Sequence, residues 1–237
     1  MTVIDVDDEA TWTADIRARV SCWADRYRGT TEYANDLPLR LEAEAGFREL
    51  FRGRRLRVYH CTKLLPHEVL TIQEQGLRPL SADLLQERIS AAREFGALSN
   101  LEADQLLAGH VFARNEHQYR EKQICFILSK RVLRYQRHGC EPLLTTWGGE
   151  GVYAASGTQG LRKRLLSIGT PTVIQARIDL FSDGEHHFFS ALHKTFVGVA
   201  LGLDNAGSDV FYRAAVPAGD IERFIHAGDA EFEALGL

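Results

Sequence analysis

The hydrophobic period changes partway along this chain of 237 residues, and that change limits the fold more than any other feature. Up to about residue 119, apolar residues recur mostly every three or four positions, as they do on helix faces. Beyond residue 122 they come in short continuous runs, as they do in buried strands. Helices first, then strands with short helices between them, predict an α+β domain, not a regularly alternating doubly wound one. The length suits one core with helical additions.

Local signals fill in this outline. Trp12, Ile16, Val20, Trp23 and Tyr27 predict a helix over 10–28, stopped by Gly29. A second helix is predicted over 39–52, with Leu39, Leu41, Phe47, Leu50 and Phe51 as its apolar members and Gly53 closing it. Together these read as an N-terminal helical cap, residues 1–55, on a core of residues 56–237, the whole forming one compact unit. The acidic cluster Asp5, Asp7, Asp8 and Glu9 predicts a disordered start.

Residues 56–60 read as a strand with Leu56, Val58 and His60 on one face. Pro66 opens a helix that Gly76 ends, and Ser81 caps another reaching about Phe95. Ser99 and Glu102 have the spacing of a capping box for a third, extending toward Tyr119. Further strands are predicted at 123–128, 151–155, 172–178, 196–201 and 210–216. After Pro217 a last helical stretch carries Ile221, Phe224 and Ile225.

Composition narrows the partners. A net charge of −4 gives no global field for nucleic acid or an anionic membrane. Local basic runs occur at Arg52, Arg54, Arg55 and Arg57, at Arg131, Arg134, Arg137 and His138, and at Arg162, Lys163 and Arg164. They read as solvated element ends, or as a basic rim for a phosphate-bearing ligand. Cys22, Cys61, Cys125 and Cys140 form no CxxC pair, so free thiols in a reducing cytoplasm are expected, not a zinc site. No secretion signal and no membrane span is expected. His186, His187 and His193 with Asp183 and Glu185 read as a loop, because adjacent histidines on an extended chain point to opposite sides. Glu231 and Glu233 form a Glu-x-Glu pair in a terminal helical stretch, which reads as a solvated face. No metal is expected.

Two segments carry candidate chemistry. In Val58-Tyr59-His60-Cys61-Thr62 a histidine closes a strand, with a thiol and a hydroxyl just after it and a helix to follow. Such a strand end can offer backbone groups to a planar amide and an imidazole to a sugar hydroxyl. Thr62 has a second reading as the cap of the following helix, and Cys61 as a nucleophile beside a histidine. In Trp147-Gly148-Gly149-Glu150-Gly151-Val152-Tyr153-Ala154-Ala155, glycines let backbone approach a ligand closely. A tyrosine on the strand that follows can lay its ring on a flat heterocycle.

Taken in this order, the motifs resemble the ADP-ribosyltransferase superfamily, specifically its diphtheria-toxin and poly(ADP-ribose)-polymerase branch. That branch carries a strand ending Tyr-His-Gly-Thr/Ser, then a helix and a Gly-Leu pair, and later a Gly-Lys-Gly-Ile-Tyr-Phe-Ala-like strand. The counterparts here are Tyr59-His60-Cys61-Thr62, Gly76-Leu77 and Gly149-Glu150-Gly151-Val152-Tyr153-Ala154-Ala155. The resemblance covers roughly residues 56–225 and implies a split β-sheet core with N-terminal and inserted helices. It implies NAD as substrate and transfer of ADP-ribose to a protein or nucleic-acid acceptor, as in a bacterial toxin or defence effector that an antitoxin or immunity protein would restrain.

The implied roles fall on particular positions. His60 would bond the nicotinamide-side ribose, and the backbone of Cys61 would hold the carboxamide. Thr62 would occupy the hydroxyl position, and Tyr153 would stack on the nicotinamide ring. The branch carries glycine where Cys61 stands, and a glutamate on a late strand that residues 208–216 lack. Asp209 and Glu150 are the two acids placed to take that role. The alternatives are a non-catalytic nucleotide-binding module, an NAD hydrolase, or an RNA 2′-phosphotransferase on the same core.

Overall fold

The computed structural model describes residues 1–29, 46–114, 120–135, 137–152, 158–182, 186–188, 192–203 and 209–237. Within them, seven strands form one sheet: β1 (Val3–Ile4), β2 (Arg55–Leu64), β3 (Ile124–Ile127), β4 (Thr170–Ile178), β5 (His187–Phe188), β6 (Asp209–Tyr212) and β7 (Ile221–His226). Their order is β5-β6-β3-β2-β4-β7, with every neighbouring pair antiparallel. β1 lies parallel to the start of β2, opposite Arg55 and Leu56.

Pairing is uneven along β2. Its register with β4 runs from Leu56 against Ile178 to Leu64 against Thr170. β3 and β6 are likewise zipped from end to end. Between β2 and β3, however, the described residues pair only at Tyr59 and Ile127. Beyond Tyr59 the two strands part, and the sheet opens along its middle.

The predicted cap is part of the core. In α1 (Ala14–Tyr27), Ile16, Val20 and Ala24 join Leu56, Val58, Ile178 and Phe196 in one apolar cluster. Phe47 and Phe51 stand edge-on to Phe196 at 5.3 and 5.5 Å. Residues 46–49 are helical, and the first part of the predicted second helix lies outside the described residues. The acidic start is ordered, contrary to expectation, because its carboxylates have distant partners. Arg57 Nη1 donates to Asp5 Oδ2 at 3.0 Å. Ser129 Oγ and the Lys130 N–H both donate to Asp7 at 2.6 Å.

Helices cover the far end of the sheet. α2 (Pro66–Gln75) begins with proline and ends at Gly76. A Cβ at Gly76 would lie 2.0 Å from the Val216 carbonyl oxygen, and the residue has φ +82. Only glycine lets the chain turn there into the Leu77–Val216 bridge. α3 (Ala82–Glu94) is capped by Ser81 and α4 (Asn100–Gly109) by the reciprocal Ser99–Glu102 pair. α4 stops at Gly109, and residues 115–119 of its predicted extension lie outside the described residues. Leu85, Ile89, Ala103 and Leu106 from these helices pack with Trp147, Leu161 and Leu165 in a second cluster. α5 (Lys130–Tyr135) and α6 (Arg137–Thr145) follow β3, and α7 (Gln159–Ser167) precedes β4.

Two predicted elements have the wrong type. The run at 196–201 belongs to a helix, α8 (Leu192–Ala200), buried from Leu192 through Val199 except at Lys194. Residues 196–201 are a short continuous apolar run, which by itself fits a buried strand as well as a buried helix; the polar residues His193, Lys194 and Thr195 that complete the helix lie before it. The stretch after Pro217 is a single 3₁₀ turn and then strand β7, which pairs with β4 through Ile225 and Val173. Its isoleucines and phenylalanine fit either period, and sheet pairing decides. A short helix, α9 (Ala230–Ala234), lies near the end, where Arg223 takes Glu231 at 2.7 Å. None of the described helices is long and apolar enough to cross a membrane.

Candidate functional site

A cavity of about 520 Å³ lies where β2 leaves β3. His60, Cys61 and Thr62 all line it, as do Cys125, Cys140, Glu150 and Asp209. Neighbouring residues on a strand point to opposite faces. One cavity reaches both His60 and Cys61 because the strand has lost its β3 partner at that point. His60 therefore does not close a strand, as the sequence suggested. It stands inside β2, at the place where the sheet opens.

The half-buried His60 is anchored. Its Nδ1 lies 2.9 Å from the Cys125 carbonyl oxygen. A carbonyl only accepts, so Nδ1 carries the proton and donates. Burial first, and then the positive charge of Arg88, push the imidazole below its ordinary pKa, against the carbonyl bond that favours the charged ring. The neutral ring then presents Nε2 as an acceptor. Phe126 stands edge-on to it at 5.9 Å between ring centres.

The cysteine and threonine resolve differently. Cys61 is buried, and its thiol is pushed well up, by a hydrogen bond to Cys140 first and burial second. It is thus no activated nucleophile. The same bond holds Cys140 down. Burial raises the third thiol lining the cavity, Cys125, to about 11. Thr62 is not the cap of the following helix: it pairs with Thr172 across β4, and Leu65 occupies the cap position.

The glycine-rich segment forms a 3₁₀ turn, Gly149–Gly151, where a strand was predicted to start. Residues 153–157, including Tyr153, lie outside the described residues. A Cβ at Gly148 would sit 2.5 Å from Val152 Cγ2, and one at Gly151 would sit 2.8 Å from Leu85 Cδ2. Gly148, at φ +85 and with such a Cβ only 2.6 Å from Val152 Cβ, is required by the protein's own chain whatever ligand approaches, whereas the contact at Gly151 is with the movable end of Leu85. The turn carries Glu150 to the cavity, where Arg120 forms an ion pair with it: Nη2 donates to Oε1 at 3.2 Å, and Nε lies 2.9 Å from Oε2 without hydrogen-bond geometry. Asp209 opens β6 opposite Ile127. Burial raises its carboxyl above the ordinary value, and the nearby Arg120 opposes that rise.

Several groups around the cavity were not visible in the sequence. Glu68 is buried and accepts from the Leu65 N–H at 2.7 Å, Trp147 Nε1 at 2.8 Å and Arg88 Nε at 2.6 Å. Arg88 also lies over the Trp147 ring at 5.4 Å. Arg78, Arg88 and Arg120 line the cavity, and each is held by a glutamate: Glu87, Glu68 and Glu150 respectively. The run from Arg52 to Arg57 is engaged by Glu49, Asp15, Asp179, Asp5 and Glu222, so it forms no rim for a ligand. His186 stacks on Tyr212 at 4.2 Å, while His193 lies beside Trp23 and Phe47. Asp183 and Glu185 lie outside the described residues.

No protein family matches this chain, nor does any curated protein or solved structure.

Proposed function

We propose that the cavity binds NAD and that the protein transfers ADP-ribose to a macromolecular acceptor. The observation that carries this reading is the convergence on one cavity of His60, Cys61, Thr62, Glu150 and Asp209, drawn from three separate stretches of chain. Each was nominated from the sequence for a role in the same reaction. The volume lies within the usual range for a small-molecule site, about 300–1,000 Å³.

In this reading His60 Nε2 accepts from a ribose hydroxyl, and the opened edge of β2 supplies backbone groups for the carboxamide. The bond between nicotinamide and ribose breaks through an oxocarbenium-like state. A carboxylate in a poorly hydrated wall favours that positive charge strongly. Asp209, whose burial disfavours ionisation without a cationic neighbour, is suited to it.

Incubation with labelled NAD, a cell lysate and a nucleic-acid pool tests the reading. Label is expected on a macromolecule, and His60→Ala should remove it. Release of free ADP-ribose alone would point to hydrolysis instead. A second reading, a nucleotide-binding module without turnover, is favoured by the Glu150–Arg120 pair, which keeps one of the two acids engaged. Calorimetric binding of NAD with no product would support it.

A further inference from the structure

Cys61, Cys125 and Cys140 are free thiols on the cavity wall, and the functional reading uses only the backbone of one. Two of them meet. Cys61 lies on β2 just past the point where β3 is lost, and Cys140 lies on α6. α6 packs against β2. Lys63, on the same face of the strand as Cys61, fixes that contact by donating to the Thr145 carbonyl at the end of α6 at 3.0 Å. Cys61 and Cys140 share one apolar cluster with Leu144 and Val173, and the Cys61 thiol donates a hydrogen bond to Cys140 Sγ. Each residue is only 4% exposed, so the cavity that both line is the route by which a small molecule reaches them. We propose that Cys61 and Cys140 are a redox couple that hydrogen peroxide joins into a disulfide across the wall of the cavity.

The two thiols have different parts in the reaction. Donation from Cys61 favours the Cys140 thiolate and holds it below its ordinary value, although burial and the charge of Asp209 oppose this. Cys140 is therefore the attacking sulfur. Its thiolate attacks one peroxide oxygen: an S–O bond forms, the O–O bond breaks, and the departing hydroxide is protonated to water. Cys61 Sγ then attacks Cys140 Sγ. The S–S bond forms, the S–O bond breaks, and the hydroxide leaves as water with the Cys61 proton. The two thiols lose two electrons and the peroxide gains them. Cys125 stays outside the couple. It lies on β3 with Arg120 Nη1 3.4 Å from its sulfur, and burial keeps it protonated.

A disulfide holds its sulfurs closer than a thiol hydrogen bond does, so forming it draws α6 and the opened half of β2 together. The backbone at Cys61 is the part of the wall assigned to the carboxamide. Oxidation should therefore weaken NAD binding, a consequence that rests on the reading of the cavity as an NAD site, whereas the couple itself does not.

Peptide mapping by mass spectrometry tests the couple without NAD. The reduced protein, with the exposed Cys22 replaced by Cys22→Ser, is titrated with hydrogen peroxide. One cross-linked peptide pair joining Cys61 and Cys140 is expected. It should disappear with dithiothreitol and be absent from Cys140→Ala, while Cys125 remains a thiol. The map is read on a chain that keeps both partners, so it stands even if Cys140→Ala fails to fold. No cross-link, a cross-link through Cys125, or oxidation that stops at a sulfinic acid on Cys140 would overturn the proposal. Calorimetry then tests the consequence. The oxidised protein should bind NAD about 10-fold more weakly, the worth of one good hydrogen bond, and dithiothreitol should restore the affinity. Equal affinity of the two forms contradicts the coupling of the disulfide to the cavity. A reduced protein that binds no NAD defeats the functional reading, while the peptide map still judges the couple.

Discussion

The two halves of β2 are built from the same alternating pattern yet end in different surroundings. From Arg55 to Tyr59 the strand has β4 on one edge and β1, then β3, on the other. Leu56, Val58 and Tyr59 have no exposed surface, and Arg57 is held by Asp5 and Glu222. From His60 to Leu64 the strand keeps β4 but loses β3, and His60, Cys61, Thr62 and Leu64 line the cavity. Strand pairing on both edges makes the first half structural, and the loss of one edge makes the second half available to a ligand. The single pairing at Tyr59 and Ile127 is the boundary between them.

That contrast can be broken by substitutions on either side of the boundary. The largest expected effect is on Leu56→Ala, which should cost about 2–5 kcal/mol in unfolding free energy by urea titration, as buried leucines usually do. NAD affinity per folded molecule should not change. His60→Ala should cost less, about 1–3 kcal/mol, because the Cys125 carbonyl loses its donor. Its NAD affinity should fall about 10-fold, the worth of roughly one good hydrogen bond. Equal effects of both substitutions on NAD affinity would erase the distinction between the halves.

Proton linkage sharpens the same comparison, with smaller effects. Burial works to raise the Glu222 carboxyl, but hydrogen bonds from Arg57 and Gln175 prevail and hold it below its ordinary value. The stability it contributes is therefore complete above the ordinary carboxylate range and is lost as pH falls through the depressed folded value. A urea midpoint that declines across that window in the wild type, but less in Glu222→Gln, is expected. Asp209 has the opposite sign. Its folded value is raised, so its ionisation costs stability that develops as pH rises from the ordinary value through the raised one. Asp209→Asn should then melt slightly higher than wild type at neutral pH, with the gain vanishing in acid. A lower melting point at neutral pH would show that Asp209 holds the fold together.

The sequence made much of this visible where the signal is local. Ser81, the Ser99–Glu102 pair, Pro66 and Gly76 act through backbone groups within a few residues, and each marks its helix as expected. His60 stood out as a histidine in a strand followed by a thiol and a hydroxyl, whereas Asp209 became a candidate only through the family resemblance. The parting of β2 from β3 was not legible, since it depends on which strands become neighbours across more than sixty residues. Arg120 stayed hidden for the same reason: its partner Glu150 lies thirty residues on. The ordered acidic start shows composition failing, because Asp7 finds its donors at Ser129 and Lys130. The buried α8 shows that a short apolar run such as 196–201 does not by itself tell helix from strand.

The ring nitrogens of His60 test the whole account most directly. In ¹⁵N-labelled protein at neutral pH, Nδ1 should resonate as a protonated nitrogen and Nε2 as a bare one. Added NAD should move the Nε2 signal saturably. A ring protonated on Nε2, or a His60 signal that does not respond to NAD at any concentration, would contradict a ligand held at the opened edge of β2.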